Sequence, residues 1–278
     1  MVNIKIGIIG GTGLDNPDIL KNRKEVKIST SFGDPSDGVV VEGEIHGIPC
    51  VLLSRHGKSH SVTPSKVNYR GNIWALKEIG CTHIIASTAT GSLKEEIKPG
   101  DLVIADDFLD RTYQRQQTFY DGESDSLKGV FHLPVHPPFS EPLRKVLIDT
   151  AKEIGIHCHE RGTIVTIEGP RFSSKAESKM YQMLGCDLVN MSTVPEVILA
   201  KEAGILYAAI ALATDYDCWK EDYNTVSHDQ VLEMFKKNVD KVMQLITAAV
   251  QKIAEKNWDK EISQSKVSLR SYFLFCNS

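Results

Sequence analysis

One phrase, repeated four times along the chain, limits the possible folds of this sequence more than any other feature. In each copy an amphipathic stretch ends at a glycine, and an apolar run typical of a β-strand follows within a few residues. The four glycines are Gly80, Gly155, Gly185 and Gly204. A glycine readily adopts the left-handed conformation that ends a helix, and strands that alternate with helices form right-handed βαβ units. The pattern therefore predicts an α/β protein with a mainly parallel sheet.

The segments around these phrases predict antiparallel strands and one long helix. Residues 38–45 and 48–54 are strand-like and flank His46 and Gly47, which suit a two-residue hairpin, so we expect a mixed sheet. Residues 227–256 carry apolar side chains at the 3.6-residue spacing of a helix.

The composition is that of a chain that can bury a full core. Of 278 residues, 41% are hydrophobic and 24% are charged. The composition does not change along the chain in a way that would mark a domain boundary. We therefore expect residues 1–278 to form a single domain, with a central mixed β-sheet flanked by helices. Residues 111–140 lack periodicity, and loops of this length are usually functional or lie at an interface.

The sequence argues against several kinds of partner. The longest run without Asp, Glu, Lys or Arg, residues 79–93, is too short and too polar to cross a membrane. A formal charge of −4 favours neither nucleic acid nor anionic lipid. The six cysteines include no C-x-x-C pair, so we expect reduced thiols and no metal site. The N-terminal residues are predicted to form a first strand rather than a secretory leader, and we expect a cytoplasmic protein, with the nucleus left open.

Three strand ends carry groups that suit an anion. The first predicted strand runs into the glycine-rich residues 7–14, where backbone N–H groups can approach a phosphate, although a tight strand exit is the alternative. Arg55 can match a phosphate bidentately and His56 can add a donor, with a surface ion pair as the alternative. Residues 87–92 are predicted to be a polar turn that ends the strand at 84–86. Strand ends on one edge of an α/β sheet form the usual ligand crevice, so one anion site is predicted.

Two carboxylates follow the apolar run 205–213. In extended backbone, residues two apart point to the same side, so Asp215 and Asp217 are expected to reach one ligand. Neighbouring carboxylates raise each other's proton affinity, so one of them can stay protonated near neutral pH and act as an acid. A calcium-like or helix-capping pair is the alternative.

Two further segments, residues 166–174 and 190–196, contain polar and aromatic side chains that interrupt the alternation of predicted strands and helices. Phe172 can stack on a base and Met191 can face a ligand, although both residue types are more often found in the core.

These segments together resemble the trimeric purine nucleoside phosphorylases. The resemblance extends from residue 6 to about residue 256 and rests on six phrases, at residues 7–14, 55–57, 64–69, 166–174, 190–196 and 213–219. It implies the nucleoside phosphorylase fold and a cyclic homotrimer. It also implies phosphorolysis of 5′-methylthioadenosine, in which inorganic phosphate attacks the anomeric carbon and releases adenine and 5-methylthioribose 1-phosphate. Phosphate is then a co-substrate, and neither a metal nor an organic cofactor is implied.

The resemblance also assigns roles to individual positions. Phosphate would lie among Gly11, Thr12, Arg55, His56, Thr88, Ala89 and Ser192. At the purine, Asp215 would protonate or hydrogen-bond N7, Asp217 would accept from the exocyclic amino group, and Ser173 would orient this pair. The remaining substrate-binding positions are Phe172 against the base, Asn190, Met191 under the ribose, His60, Val231, Leu232, and His132, which would complete the site of a neighbouring subunit.

His228 departs from the family, whose members carry a small apolar residue there. It lies one turn before Val231 and Leu232, so we expect it to reach the same pocket, where an imidazole can hydrogen-bond a 5′-hydroxyl and adenosine would be tolerated. A solvated histidine at a helix start is the alternative.

The runner-up function is a broader purine nucleoside phosphorylase that acts on adenosine or inosine. Two other classes are a nicotinamide-dependent oxidoreductase and a non-catalytic nucleotide-binding module. The glycines of residues 7–14 do not match the dinucleotide-binding fingerprint G-x-G-x-x-G, which argues against the oxidoreductase. The set of Arg55, Asp215 and Asp217 argues against the non-catalytic module.

Overall fold

The computed structural model describes residues 3–11, 17–58, 60–123, 127, 129, 131–220 and 228–265. Its strands are β1 (Ile6–Gly10), β2 (Lys21–Lys27), β3 (Val39–Ile45), β4 (Ile48–Ser54), β5 (His83–Ser92), β6 (Leu102–Ile104), β7 (Asp107–Arg111), β8 (Cys158–His159), β9 (Thr163–Ile167), β10 (Leu188–Asn190) and β11 (Leu206–Asp215). Its α-helices are α1 (Tyr69–Glu78), α2 (Glu141–Glu153), α3 (Lys175–Met183), α4 (Thr193–Glu202) and α5 (His228–Glu255).

Strand β5 lies at the centre of the sheet. On one edge it pairs in parallel with β11, and on the other it pairs in parallel with β1 and then antiparallel with β10. Beyond β1, the parallel strand β4 pairs antiparallel with β3, and beyond β10 lies the parallel strand β9. The predicted fold class, a central mixed sheet flanked by helices, is therefore confirmed.

The local turn chemistry follows the sequence. Gly80, Gly155, Gly185 and Gly204 have φ of 91°, 72°, 80° and 74°. Each follows a helix, as the repeated phrase predicts. The hairpin between β3 and β4 turns at two residues with positive φ, His46 at 53° and Gly47 at 76°. Such turns match the twist of the flanking strands, so the predicted two-residue hairpin is confirmed.

Helices cover both faces of the sheet and bury its core. On one face α5 and α2 pack against β11, with Phe235, Val242, Leu245 and Ile246 of α5 fully buried. On the other face α1 and α4 pack together. Each fully buried side chain of this size contributes about 1.5–3 kcal/mol. The helix predicted over residues 227–256 is confirmed as α5, and no helix among the described residues has the length and apolar character of a membrane span.

The prediction of a turn at residues 87–92 is wrong. Strand β5 continues to Ser92, because β11 pairs with it as far as Gly91 and β10 pairs with Gly91 and Ser92. Ladder hydrogen bonds to these partners satisfy the backbone groups of a polar segment whose own sequence favours a turn. The hydroxyl groups of this segment are therefore presented by a strand in the middle of the sheet.

Candidate active site

A cavity of about 300 Å³ lies at the carboxyl ends of β1, β4, β9, β10 and β11, beside the second half of β5. Most of the predicted site residues line it: Gly11, Arg55, His56, His60, Thr88, Ala89, Phe172, Ser173, Asn190, Met191, Ser192, Asp215, Asp217 and Val231. These residues come from segments far apart in the chain, and the sheet brings them together because ligand crevices form at strand ends.

Four predicted residues are not placed in this cavity. His132 is exposed, and among the described residues neither His132 nor Leu232 belongs to the cavity wall. Thr12 lies outside the described residues, and so does the side chain of His228, whose backbone begins α5. The expectation that His228 reaches the same pocket as Val231 therefore stays a prediction.

Arg55 lies at one end of the cavity and is fixed by a buried ion pair. Its Nε and Nη2 donate to the two carboxylate oxygens of Glu196 at 2.7 and 2.9 Å, and its Nη1 donates to Ser87 O at 3.0 Å. Both charged side chains are only 1% exposed. Tyr207 also donates to Glu196, at 2.7 Å. The surface ion pair considered from the sequence is wrong, because the partner is a glutamate inside the protein.

This pairing changes the electrostatics of the anion end. The Glu196 carboxylate offsets the charge of Arg55, while two of the five guanidinium N–H groups have no part in the three bonds. Ser192, which precedes α4, adds a hydroxyl group here, but the backbone of Val194 is not helical (φ −103°, ψ 130°), so no regular helical first turn follows Ser192. An anion here would be held chiefly by oriented N–H and O–H donors rather than by net positive charge.

His56 is a neutral imidazole in this site. Its Nδ1 lies 2.8 Å from Val62 O, and since a carbonyl only accepts, we assign the ring hydrogen to Nδ1. Burial, with the nearby charge of Arg55, lowers the pKa of His56 to about 3. In this tautomer Nε2 carries a lone pair, so it would accept a hydrogen bond from a protonated phosphate oxygen instead of donating one.

A network of buried side chains orders the hydroxyl groups next to Arg55. Asn190 donates to Thr88 Oγ1 at 3.0 Å and to Thr193 Oγ1 at 2.7 Å, and its Oδ1 accepts from Thr166 Oγ1 at 3.0 Å. Thr88 Oγ1 lies 3.2 Å from Ser192 Oγ. Since both amide hydrogens and the amide oxygen of Asn190 already have partners, this residue orients the hydroxyl groups around it.

Asp215 and Asp217 lie at the opposite end of the cavity. Burial raises the pKa of Asp215 to about 6, against the hydrogen bonds from the Thr214 hydroxyl and the Asp217 N–H. Burial also raises the pKa of Asp217. The predicted extended backbone is wrong, since Asp217 has a φ of 49° and its N–H donates to Asp215 Oδ1 at 2.7 Å. The two carboxyl groups share the cavity because of this turn.

Three polar atoms at this end are buried without hydrogen-bond partners among the described residues. They are Asp217 Oδ2 and the hydroxyl oxygens of Ser173 and Ser178. Both hydroxyl groups lie close enough to oppose the rise in the Asp217 pKa. Because buried polar groups are normally paired in a folded protein, this group of one carboxylate oxygen and two hydroxyl groups indicates a place for a polar ligand, to which Asp217 Oδ2 can offer an acceptor.

Two apolar side chains line the cavity, and one of them, Met191, also packs against a buried hydrophobic cluster. Phe172 is 38% exposed and Met191 is half-buried, although both residue types favour interiors. Both belong to the cavity wall, where the aromatic plane of Phe172 can stack on a base.

The sequence reasoning missed the residues that hold this site in place. Glu196 and Tyr207 have no signal of their own, apart from a carboxylate within an otherwise apolar helix. Further cavity residues that were not predicted are Ser61, Val62, Thr63, Pro64, Thr90, Gly91, Ile167, Pro170, Val189 and Thr214. Among the described residues, no three His, Cys, Asp or Glu side chains are grouped as a metal ion would need.

Comparison with known proteins agrees with this geometry. The family model described as the phosphorylase superfamily matches residues 5–251. The S-methyl-5′-thioadenosine phosphorylase of Aedes aegypti is 62% identical over 262 residues, which are 94% of this chain and 93% of that protein. That of Xenopus tropicalis is 56% identical over 268 residues, covering 96% of this chain and 95% of that protein.

Solved structures are similar over the same length. The methylthioadenosine phosphorylase of Schistosoma mansoni in complex with adenine has a TM-score of 0.94 and 46% identity, covering 97% of this chain and 98% of that one. A variant adenosine/methylthioadenosine phosphorylase of the same organism, in complex with methylthioadenosine, has a TM-score of 0.93 at 46% identity with the same coverage. The chain therefore belongs to the phosphorylase superfamily, and within it to the family of these S-methyl-5′-thioadenosine phosphorylases. The resemblance drawn from the sequence is confirmed.

Proposed function

We propose that this protein catalyses the phosphorolysis of 5′-methylthioadenosine to adenine and 5-methylthioribose 1-phosphate. The reaction transfers a pentosyl group to phosphate, so the enzyme is a pentosyltransferase that serves purine and methionine salvage. One observation carries the proposal: a single cavity contains both an anion site built on Arg55 and two unlike carboxyl groups, those of Asp215 and Asp217.

The two carboxyl groups match the edge of adenine. Adenine presents an acceptor, N7, beside a donor, its exocyclic amino group. A carboxyl group with a pKa near 6, such as Asp215, can give a proton to N7. The unpartnered Oδ2 of Asp217 can accept from the amino group. A 6-oxopurine would place an acceptor against an acceptor at Asp217, so inosine fits this edge less well.

The opposite end of the cavity suits the nucleophile. Phosphate held by Arg55, Thr88 and Ser192 would lie beside the anomeric carbon, and fixed geometry of this kind lowers the entropic part of the barrier. A phosphate oxygen forms a bond to that carbon while the bond to purine N9 breaks, and the electron pair passes into the purine ring. Asp215 gives its proton to N7. The proton that monohydrogen phosphate loses on becoming an ester balances the one that adenine gains.

A direct assay tests the proposal. Purified protein with 5′-methylthioadenosine and phosphate should release adenine and form one sugar phosphate for each adenine. The matched reaction without phosphate should release none. Adenine release that does not need phosphate would instead indicate a hydrolase, and no release at all would overturn the proposal.

Adenosine is a second candidate substrate. It is supported by His228 at the start of α5, three residues before the cavity residue Val231, and by a solved relative that is named for both nucleosides. A hydrogen bond from His228 to a 5′-hydroxyl would be worth about 1 kcal/mol, a several-fold change in preference. The ratio of kcat/KM for 5′-methylthioadenosine over adenosine should then rise in His228→Val, and an unchanged ratio would place His228 outside the pocket.

We also infer that the active species is a cyclic homotrimer. His132 is exposed and stands apart from the cavity of its own chain, in the irregular segment that the sequence predicts to be functional or to lie at an interface. A heterologous interface that closes into a ring would bring such a residue to the next subunit's site. Light scattering should give about three times the 30.9 kDa of one chain. An active species of one chain mass would contradict this.

We propose that phosphate is a co-substrate and that the enzyme uses neither a metal nor an organic cofactor. We also propose that the enzyme is cytoplasmic. The donors around the cavity are protein groups that suit phosphate directly. Activity that survives extensive dialysis against a chelator, and a fluorescent fusion found in the cytoplasm, are the expected results. Loss of activity that added divalent metal restores would contradict the first statement.

A further inference from the structure

Arg115, in the irregular segment between β7 and α2, uses every hydrogen-bond donor that a guanidinium has. Nε donates to Glu168 Oε1 at 3.3 Å; Nη1 donates to Tyr69 OH at 3.2 Å and to Val194 O at 2.6 Å. Nη2 donates to Ile167 O at 3.3 Å and to Glu168 O at 2.8 Å. These bonds account for all five N–H groups, and the side chain is 1% exposed.

Four of the five acceptors belong to two segments that line the cavity. Ile167 and Glu168 begin the base segment, residues 167–173, which carries Phe172 and Ser173. Val194 ends the ribose segment, residues 190–194. Tyr69, which accepts from Arg115, in turn donates to the backbone oxygen of Met191 in the ribose segment at 3.3 Å. One side chain therefore ties both segments together.

Arg115 is itself held by Glu168, which does not belong to the cavity wall. Its counter-ion Glu168 is 6% exposed, and Glu168 Oε2 accepts from the N–H groups of Tyr113 and Gln114 at 2.8 and 3.2 Å. Arg115 does not belong to the cavity wall. Apart from its charge, which acts on His56 and which a lysine would retain, Arg115 can affect the reaction only through the base and ribose segments.

We propose that Arg115 is a positioning residue for the nucleoside, which sets the spacing between the base segment and the ribose segment. The inference rests on the proposed function. When this spacing is fixed, one bound nucleoside can make all its contacts at the same time. Its purine contacts Phe172 and Ser173 while its ribose contacts Met191. Misplacement of reacting groups by about 1 Å can cost roughly 10²-fold in rate.

Arg115→Lys tests the inference. Lysine keeps the positive charge, but its three N–H groups leave from one nitrogen and cannot replace the five bonds that the planar guanidinium makes. We expect kcat/KM for 5′-methylthioadenosine to fall about 10²-fold and the dissociation constant of adenine, measured by calorimetry, to rise at least threefold. The pH profile of kcat should keep its position, because Arg115 makes no bond to Asp215.

Arg144→Lys is the matched control. Arg144, on α2, is also buried, and it also binds three backbone oxygens, those of Ala105, Ile104 and Glu160, and one carboxylate, Glu141. None of these groups lines the cavity. Both variants should lower the Tm by similar amounts, whereas only Arg115→Lys should lower kcat/KM.

Tyr69→Phe keeps the inference testable if Arg115→Lys does not fold. It removes only the hydroxyl group between Arg115 and Met191, so a threefold to tenfold loss of kcat/KM is expected. Equal loss in Arg115→Lys and Arg144→Lys, or full activity in Tyr69→Phe and Arg115→Lys, would overturn the positioning role. Wild-type protein that releases no adenine would instead overturn the proposed function.

Discussion

At the scale of single residues, environment separates two carboxyl groups that are alike in sequence. Asp215, at the end of β11, is buried and has a pKa of about 6, while the Asp217 carboxylate keeps an oxygen without a hydrogen-bond partner among the described residues. Titratable groups whose environments differ in this way can divide the roles of proton donor and hydrogen-bond acceptor. We assign the donor role to Asp215.

Replacing Asp215 tests this assignment. Asp215→Ala removes the group that protonates or hydrogen-bonds the leaving purine, so kcat should fall at least about 10²-fold. The KM for phosphate should change less than twofold, because Arg55 and Ser192 form the other end of the cavity. Steady-state kinetics with both substrates would measure both quantities. A near-normal kcat would show that another group supplies the proton.

The same carboxyl group should lower stability at neutral pH. Its pKa is raised from 3.8 to about 6 on folding, so its stabilising contribution is full below pH 3.8 and is lost as the pH rises through 6. Asp215→Asn stays neutral at every pH. Its free energy of unfolding, relative to wild type, should therefore increase between pH 4.5 and 7.5, by on the order of 2 kcal/mol. A difference that is equal at both pH values in urea denaturation would contradict this.

At the scale of elements, the anion end depends on how closely the ends of β1 and β4 approach the middle of β5. Gly11 follows β1, and its N–H donates to Ser87 Oγ of β5 at 3.2 Å. A Cβ atom at Gly11 would lie 2.7 Å from Arg55 Nη1 and 2.9 Å from Ser87 O. Since Ser87 O belongs to the central strand, the guanidinium would have to move.

Gly11→Ala should therefore raise the KM for phosphate about tenfold, which corresponds to about 1.4 kcal/mol of lost binding. Gly80→Ala is the control: it has a φ of 91° and no atom within 4 Å of the added Cβ, so it should cost about 1–2 kcal/mol of stability and leave the KM unchanged. Equal phosphate kinetics in the two variants would mean that Arg55 is not part of the phosphate site.

At the scale of the whole molecule, the sheet and the segment that follows α5 enclose a histidine. His83, on β5, is 0% exposed, packs edge-on against Trp258 at 4.5 Å between ring centroids, and has no partner for Nε2 among the described residues. Burial, with the charge of Lys256, lowers its pKa from 6.5 to about 3. The neutral ring is therefore compatible with the fold, and the charged ring is not.

This histidine predicts a loss of stability in acid. Because its folded pKa is depressed, its contribution is present above pH 6.5 and is lost as the pH falls from 6.5 towards 3, at about 1.4 kcal/mol per pH unit. His83→Phe, which keeps an aromatic ring beside Trp258, should lose about 2 kcal/mol less than wild type between pH 7.5 and 5. Urea denaturation at the two pH values measures this. Equal losses would place the acid sensitivity elsewhere.

The sequence by itself determined the features that depend on neighbours along the chain. The repeated helix–glycine–strand phrase, the hairpin at His46 and Gly47, and the apolar face of α5 all appear where the local pattern predicts them, because propensity, turn chemistry and periodicity act over a few residues. The chemistry of single segments pointed to Arg55, His56, Asp215 and Asp217, and family resemblance added further cavity residues such as Ser192.

Only the tertiary structure decided how those residues are held. Arg55 and Glu196 are 141 residues apart, and no local pattern pairs them. Residues 87–92 have the sequence of a turn, yet they form the second half of β5 because β10 and β11 pair with them. Asp217 leaves the extended conformation and donates its N–H to Asp215. The buried groups of the site must find hydrogen-bond partners, and in a folded chain those partners come from whichever segments the sheet places beside them.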